Sequence, residues 1–268
     1  MSGDSNMTIN PYTPIASNYS SGVNPTTESL TSGSRINHAA DDAAGLAVVT
    51  AMTTQVNGQD VATRNANDGM SMLQTADGAS ESIASSLQRM RELSMQAMNG
   101  TYTDSQRQMM NMEFQQNLKG ISQIAETTSF NGNKILNGDE ASMDIALGSD
   151  SANSLTLPNL STGGLSIDGL DLTNSENAAL AAEGITAALE QLTTVRSEFG
   201  AQQNGLTSAV ASIESQNINT LASRSQISDT DFAKASSEQA RQNILNQSAI
   251  AMQSQGMQSK AAVLQLLG

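Results

Sequence analysis

Apolar and small residues recur at alternating steps of four and three along one long stretch of the chain. This spacing places them on a single narrow stripe of a helix, as in coiled coils and helical bundles. We therefore predict a long helix that packs against other helices. Its seam is Ala62, Ala66, Gly69, Leu73, Ala76, Ser80, Ile83, Leu87, Met90, Ser94 and Ala97.

The flanking residues predict where this helix begins and ends. Asp41 and Asp42 precede the pattern, and carboxylates are favourable at a helix N-terminus. A catalytic acid and base pair is disfavoured, because adjacent side chains on a helix point in different directions. Asn99 and Gly100 are typical of a helix end.

A second helix is predicted after Thr103, a suitable cap, and should end at the polar stretch that begins at Thr127. The link between the two helices is short, so they should lie antiparallel and in contact. The predicted packing face of the second helix is Met110, Phe114, Leu118, Ile121 and Ala125.

The helical period disappears between Phe130 and Asn174, where Asn-Gly and Gly-Gly pairs mark turns. Alternating apolar residues replace it, which predicts half-buried hairpin strands. Pro158 should limit the second strand, because proline has no N–H for the sheet. The alternating residues are Met143, Ile145 and Leu147, then Leu155 and Leu157.

Helical spacing then returns and predicts a third long helix. Both chain ends are weakly amphipathic and could not bury their apolar stripes alone. The third helix carries Ala182, Ile185, Leu189, Leu192, Arg196, Phe199, Gln203, Leu206, Val210 and Ile213. The N-terminal stripe is Ile9, Tyr12, Ile15, Tyr19 and Val23, and Pro11, Pro14, Gly22 and Pro25 should interrupt it. The C-terminal stripe is Phe232, Ile244, Leu245, Met252, Val263, Leu264, Leu266 and Leu267.

Together these elements predict a mainly α fold. We expect an elongated coiled-coil rod formed by the N- and C-terminal halves, with a small β-hairpin region in the middle. Residues 1–41 and 227–268 should form the two parts of an inner terminal domain, residues 42–129 the long and short rod helices, residues 130–176 the hairpin region, and residues 177–226 the returning helix.

Composition excludes several classes of function. With 12 basic and 26 acidic residues the net charge is −14, which argues against binding to nucleic acid or to an acidic membrane. The absence of cysteine excludes disulfides and thiolate metal sites. No apolar run approaches the roughly 20 residues of a membrane span. The N-terminus also lacks the pattern of a cleaved signal peptide. His38 is the only histidine, so we predict no catalytic, cofactor or metal site.

Several motifs, in order along the chain, resemble bacterial flagellin: SGSRIN at 32–37, DDAAGLA at 41–47, RNANDG at 64–69, QRMRELS at 88–94, TSFNG at 128–132 and VLQLLG at 263–268. The resemblance implies a subunit that assembles into the extracellular flagellar filament. The implied partners are other copies of the chain, the flagellar type III export apparatus, a C-terminal export chaperone, and the filament cap and hook-filament junction proteins. The hairpin region is short, so we expect no outer variable domains and a smooth filament.

The resemblance also implies two functional surfaces. One is an axial subunit contact, recognised in the family by the innate receptor Toll-like receptor 5. The other is a terminal polymerisation segment. If the second helix folds back on the first, Glu113 should lie near Arg89. The contact residues are Gln88, Arg89, Arg91, Leu93 and Glu113, and the polymerisation residues are Ile244, Leu245, Met252, Val263, Leu264, Leu266 and Leu267.

Two other classes of function stay open at this point. A hook-filament junction protein, or a secreted coiled-coil adhesin or adaptor, would use the same rod without forming long filaments. A secreted enzyme would need a catalytic insert, and residues 130–174 contain no histidine or cysteine. An ordinary solvated helix face remains the alternative reading of the segment around Arg89.

Overall fold

The computed structural model describes residues 25–148 and 152–267, with side chains as far as residue 259. Its described residues form the helices α1 (Pro25–Ser32), α2 (Ala43–Ala97), α3 (Asp104–Thr127), α4 (Ser175–Ser228) and α5 (Phe232–Leu267). Two antiparallel hairpins consist of β1 (Ser129–Phe130) with β2 (Asn133–Lys134), and β3 (Ser142–Ala146) with β4 (Ala152–Thr156). The mainly α fold with a small hairpin region in the middle is thereby confirmed.

The chain divides into two compact units. The central unit is Thr54–Leu221, and the terminal unit combines Met1–Thr53 with Ala222–Gly268. Within the residues that the structure describes, no helix is long and apolar enough to cross a membrane.

The predicted seam of α2 forms much of the core of the central unit. All eleven predicted seam residues are buried, which confirms the pattern. A Cβ atom at Gly69 would lie 3.2 Å from Ile145 Cγ1 and 3.3 Å from Leu206 Cδ1, so glycine permits close approach here. The buried stripe is wider than predicted and includes Met72 and Leu93. The extra width follows because α2 packs against other elements besides α4.

Thr103 caps α3 as predicted. Its hydroxyl accepts a hydrogen bond from the Gln106 N–H, and Gln106 Oε1 accepts one from the Thr103 N–H at 2.9 Å, which completes a capping box. Four of the five predicted packing residues are fully buried, and Met110 is half-buried against the same core. Arg107 Nη1 donates to the carbonyl oxygens of Ala97 at 3.1 Å and Asn99 at 3.2 Å, so it caps the end of α2.

The hairpins follow the predicted turn and strand chemistry. Asn131 and Gly132 connect β1 to β2 with φ values of 52° and 87°, as a two-residue hairpin turn of type I′ requires. In the second hairpin Met143 pairs with Leu155, which is fully buried. β4 ends at Thr156, two residues before Pro158.

The packing line of α4 differs from the predicted one. Its buried residues are Ala178, Ala181, Ile185, Ala188, Leu192, Val195, Phe199, Leu206 and Ile213. The predicted positions Ala182, Leu189 and Arg196 lie beside this line and are partly exposed, so those assignments were wrong. Small residues at Ala181 and Ala188 let the neighbouring elements approach closely, whereas Arg196 reaches the edge and pairs with Asp77 at 2.8 Å.

The terminal unit corrects two expectations about helix starts. Pro25 begins α1 instead of interrupting a helix, because the first helical residue needs no N–H partner. Asp42 does cap α2, since its Oδ1 accepts from the Gly45 N–H at 2.8 Å. Asp41 instead accepts from the N–H groups of His38 and Asn37, and these bonds lower the pKa of Asp41. The predicted stripe from Ile9 to Val23, with Pro11, Pro14 and Gly22, lies outside the described residues.

Candidate assembly surfaces

The helices α2 and α3 bring together most of the predicted contact residues on one exposed surface. Arg89 Nε lies 2.7 Å from Glu113 Oε1, and Arg89 Nη1 lies 3.1 Å from Glu92 Oε2. The predicted approach of Glu113 to Arg89 is therefore confirmed. Hydrogen bonds to Glu113 and then to Glu92 raise the pKa of Arg89. Gln88 is exposed on the same stretch of α2.

Leu93 does not belong to this surface. Its side chain is only 2% exposed and packs in the core of the central unit. The assignment of the Leu93 side chain to a surface contact was wrong for this fold. The heptad stripe of α2 is widened by the packing of α3, and Leu93 lies on the side that this widening buries.

Arg91 points to a different surface, an open groove between α2 and α4. The groove has a volume of about 520 Å³ and is lined on the α2 side by Arg91, Met95 and Met98. Its α4 side includes Glu183 and Glu190, which the predicted contact set omitted. These two glutamates are seven residues apart, so they share one face of a helix, a signal that was present in the sequence.

The predicted polymerisation segment lies on α5. Ile244, Leu245 and Met252 are 59–72% exposed, and Ile250 and Met257, which the prediction omitted, are 68% and 66% exposed. The irregular spacing of these residues hid the last two from a search for one stripe. Val263, Leu264, Leu266 and Leu267 fall within α5, beyond the residues whose side chains are described.

The described residues contain no group of three or more His, Asp or Glu side chains that could bind a metal ion. His38 instead pairs with Glu28, with Nε2 lying 2.7 Å from Oε1. The surfaces of this molecule therefore offer chemistry for contacts between protein chains: exposed methionine, aliphatic and charged side chains on helices.

Comparison with known proteins identifies the family. Residues 5–141 match the family model of the bacterial flagellin N-terminal helical region, and residues 182–267 match that of the C-terminal helical region. A flagellin from Halalkalibacterium halodurans is 41% identical over 90% of both chains, and one from Listeria innocua is 35% identical over 92% of both. The chain belongs to the bacterial flagellin family. It is a structural subunit of the flagellar filament and is therefore extracellular.

Solved structures agree with this assignment. The crystal structure of Bacillus cereus flagellin is 32% identical, with a TM-score of 0.51, and the match covers 60% of this chain and 94% of that one. A proposed flagellar hook-associated protein from Vibrio parahaemolyticus has a TM-score of 0.61 at 12% identity, a likeness that shows the fold alone. Only residues 142–181 lie between the two matched family regions, in keeping with a flagellin that lacks a variable domain.

Proposed function

We propose that α5 is the segment through which copies of this chain bind one another in the filament. The observation that carries the proposal is the set of five large apolar side chains that α5 leaves exposed between Ile244 and Met257. Contiguous exposed apolar surface on a helix is typical of a binding site for another protein chain. In a filament subunit, the chains available to cover it are other copies of the same subunit.

The arrangement of these residues favours a polymer over a closed pair. At about 100° per residue, Ile244, Leu245 and Met252 fall on one side of α5, and Ile250 and Met257 fall on the opposite side. A helix that is apolar on all sides is stable only when it is buried on all sides. One partner could cover one side of α5, so at least two neighbours are needed.

The energy available is sufficient to drive assembly. Full burial of one large aliphatic or methionine side chain contributes about 1.5–3 kcal/mol, so five such residues far outweigh the side-chain entropy lost on contact. A contact in which one surface meets a different surface of the next copy can repeat without closing, which generates a helical filament.

The test removes apolar surface from α5 without removing the helix. We expect Ile250→Gln with Met257→Gln to raise the critical concentration for assembly about 100-fold, because two apolar side chains no longer gain burial energy. Gln247→Asn with Gln253→Asn is the matched control on the same helix. Pelleting and electron microscopy would measure assembly, and circular dichroism would check the monomer. Wild-type assembly by the first variant would refute the proposal.

Deletion of residues 255–268 is the stronger version of this test. We expect the truncated chain to keep the stability of the central unit, since the deletion lies wholly in the terminal unit. It should form no filaments at concentrations where the full chain assembles. Normal filaments would show that the end of α5 is dispensable.

We also propose that the surface formed by Gln88, Arg89 and Glu113 contacts a neighbouring subunit, with Arg91 contributing from the adjacent groove. A paired guanidinium and carboxylate can exchange partners with charged groups of another chain. Arg89→Glu should weaken assembly, and adding Glu113→Arg should restore part of it. The same variants would test recognition by Toll-like receptor 5 in a receptor reporter assay. Recovery in neither assay would remove this surface from the proposal.

The remaining partners are proposed from the flagellin resemblance: the export apparatus, a C-terminal export chaperone, the filament cap and the junction proteins. The exposed apolar face of α5 supports the chaperone in particular, since an unassembled subunit with that face uncovered risks aggregation. Binding of the purified chaperone to the full chain, but not to the chain lacking residues 255–268, would test this partner. The junction-protein and adaptor alternatives are not favoured, because the curated relatives are flagellins.

A further inference from the structure

In the terminal unit, the loop that follows α1 docks on the connection between α4 and α5. Ser34 and Asp229 form an isolated antiparallel β-bridge. The Arg35 N–H donates to the Ser228 carbonyl at 2.6 Å, and the Thr230 N–H donates to the Gly33 carbonyl at 3.0 Å. We call residues 33–36 and 227–230 the terminal clasp.

Side chains of the same loop cap the end of α4. Arg35 Nη2 donates to the Ile227 carbonyl at 2.6 Å, and Ser34 Oγ donates to the Ser228 carbonyl at 3.1 Å. Ile227 and Ser228 are the last residues of α4, where carbonyl groups have no partner inside the helix. A positive charge is also favourable at this end of a helix. The N-terminal loop thus supplies the C-terminal cap that α4 lacks.

The clasp lies directly before the assembly helix. α4 ends at Ser228 and α5 begins at Phe232, so only three residues separate them. Asp231 Oδ1 accepts from the N–H groups of Ala233 and Lys234, which caps the start of α5. With one end held by the clasp and the other by a cap, this short connection has little freedom. The clasp therefore sets the direction in which α5 leaves the end of α4.

We propose that Arg35 is a positioning residue for filament assembly, acting on α5 through the terminal clasp. The partner of α5 is a second copy of this chain, so the inference rests on the proposed role of α5. When the loop is seated, α5 is held in the direction that presents its apolar residues to neighbouring copies. When the clasp is open, α5 samples other directions, and each addition of a subunit must first select the correct one.

The first test replaces the guanidinium. We expect Arg35→Gln to raise the critical concentration for assembly about tenfold to a hundredfold, the effect of one lost charge-assisted hydrogen bond. Arg35→Lys keeps the charge and one donor, so it should recover part of this loss. Arg64→Gln, an exposed arginine of the central unit, is the matched control. The melting temperature of the central unit should stay unchanged in all three variants.

The second test closes the clasp by other means. Ser34 and Asp229 form the non-hydrogen-bonded type of antiparallel pair, in which Cα atoms lie about 4.5 Å apart, within the range of a disulfide. The natural chain has no cysteine, so Ser34→Cys with Asp229→Cys can form only one intramolecular bridge. With oxidised glutathione as the oxidant, this bridge should restore assembly of Arg35→Gln to within a few-fold of the level of the same cysteine pair in the Arg35 background. Reduction should abolish the recovery.

Three outcomes would overturn the inference. Arg35→Gln could assemble at the wild-type concentration, the oxidised bridge could fail to restore assembly, or the variant could lower central-unit stability in parallel with assembly. In each case the α5 variants still test the proposed function separately. Loss of assembly in Ile250→Gln with Met257→Gln, together with normal assembly of Arg35→Gln, would retain α5 and reject the clasp.

Discussion

The core of the central unit and the exposed length of α5 are both helical and both rich in Ala, Ser, Gln and large apolar residues. Yet Leu73, Ile83 and Leu87 of α2 are completely buried, whereas the five large apolar residues of α5 are 59–72% exposed. The difference lies in how many helices of the same chain lie alongside. α2 has α3, α4 and the hairpins around it, while this part of α5 has no covering element within the described residues.

Spacing explains why one helix completes its core within the subunit and the other does not. The seam of α2 repeats at three and four residues, so a single side of the helix gathers the apolar residues. On α5 these residues are spread around the helix, and a covering partner is needed on each side. Apolar content alone therefore does not decide where a residue is buried; its distribution around the helix does.

The largest expected effect compares one core residue with one α5 residue. Phe114→Ala should destabilise the monomer by about 3–5 kcal/mol, because it leaves a cavity in a closed core. Ile250→Ala should change monomer stability by less than about 0.5 kcal/mol, because that side chain is already exposed. Urea unfolding of the unassembled chain measures both. Similar losses in the two variants would show that α5 is covered within the monomer.

A smaller effect separates folding of the central unit from assembly. Thr103→Ala should cost about 1 kcal/mol of monomer stability, since it removes the side chain that caps α3. Assembly should stay at the wild-type critical concentration, the reverse of what the α5 variants do. Ser105→Ala, an exposed position in the same first turn, is the control. A rise in critical concentration for Thr103→Ala alone would link α3 to the assembly contact.

The smallest effect is a pH dependence confined to the central unit. Hydrogen bonds from Thr173 and Asn177 hold the pKa of Asp171 below its usual 3.8. A lowered pKa in the folded state contributes stability above pH 3.8, and this contribution is lost as the pH falls through the folded pKa. Asp171→Asn should therefore be less stable than wild type at neutral pH by about 1 kcal/mol, and the difference should shrink below pH 3.8.

Thermal unfolding of the monomer at several pH values measures this difference. Asp168→Asn changes an exposed carboxylate of the same loop and should leave the pH profile unchanged. A constant offset between Asp171→Asn and wild type at every pH would mean that the hydrogen bonds act independently of the charge.

Particular residues show how far sequence reasoning reached. The heptad pattern identified every one of its eleven seam residues, Thr103 was correctly predicted as a cap, and Asn131 with Gly132 as a turn. It chose Arg196 where α4 buries Val195, and it placed Leu93 on the surface. Neighbouring positions on a helix edge have similar sequence patterns, so the choice between them depends on the shape of the packing partner.

The sequence by itself determined the helices, caps and turns, because these depend on the period of apolar residues and on contacts between residues a few positions apart. Only the tertiary structure decided which helix edge is buried, that Arg89 meets Glu113 across 24 residues of chain, and that Ser34 bonds to Ser228 across 194. Such contacts depend on how separate elements dock, and docking follows from side-chain shape and close packing, which the period of a sequence does not specify.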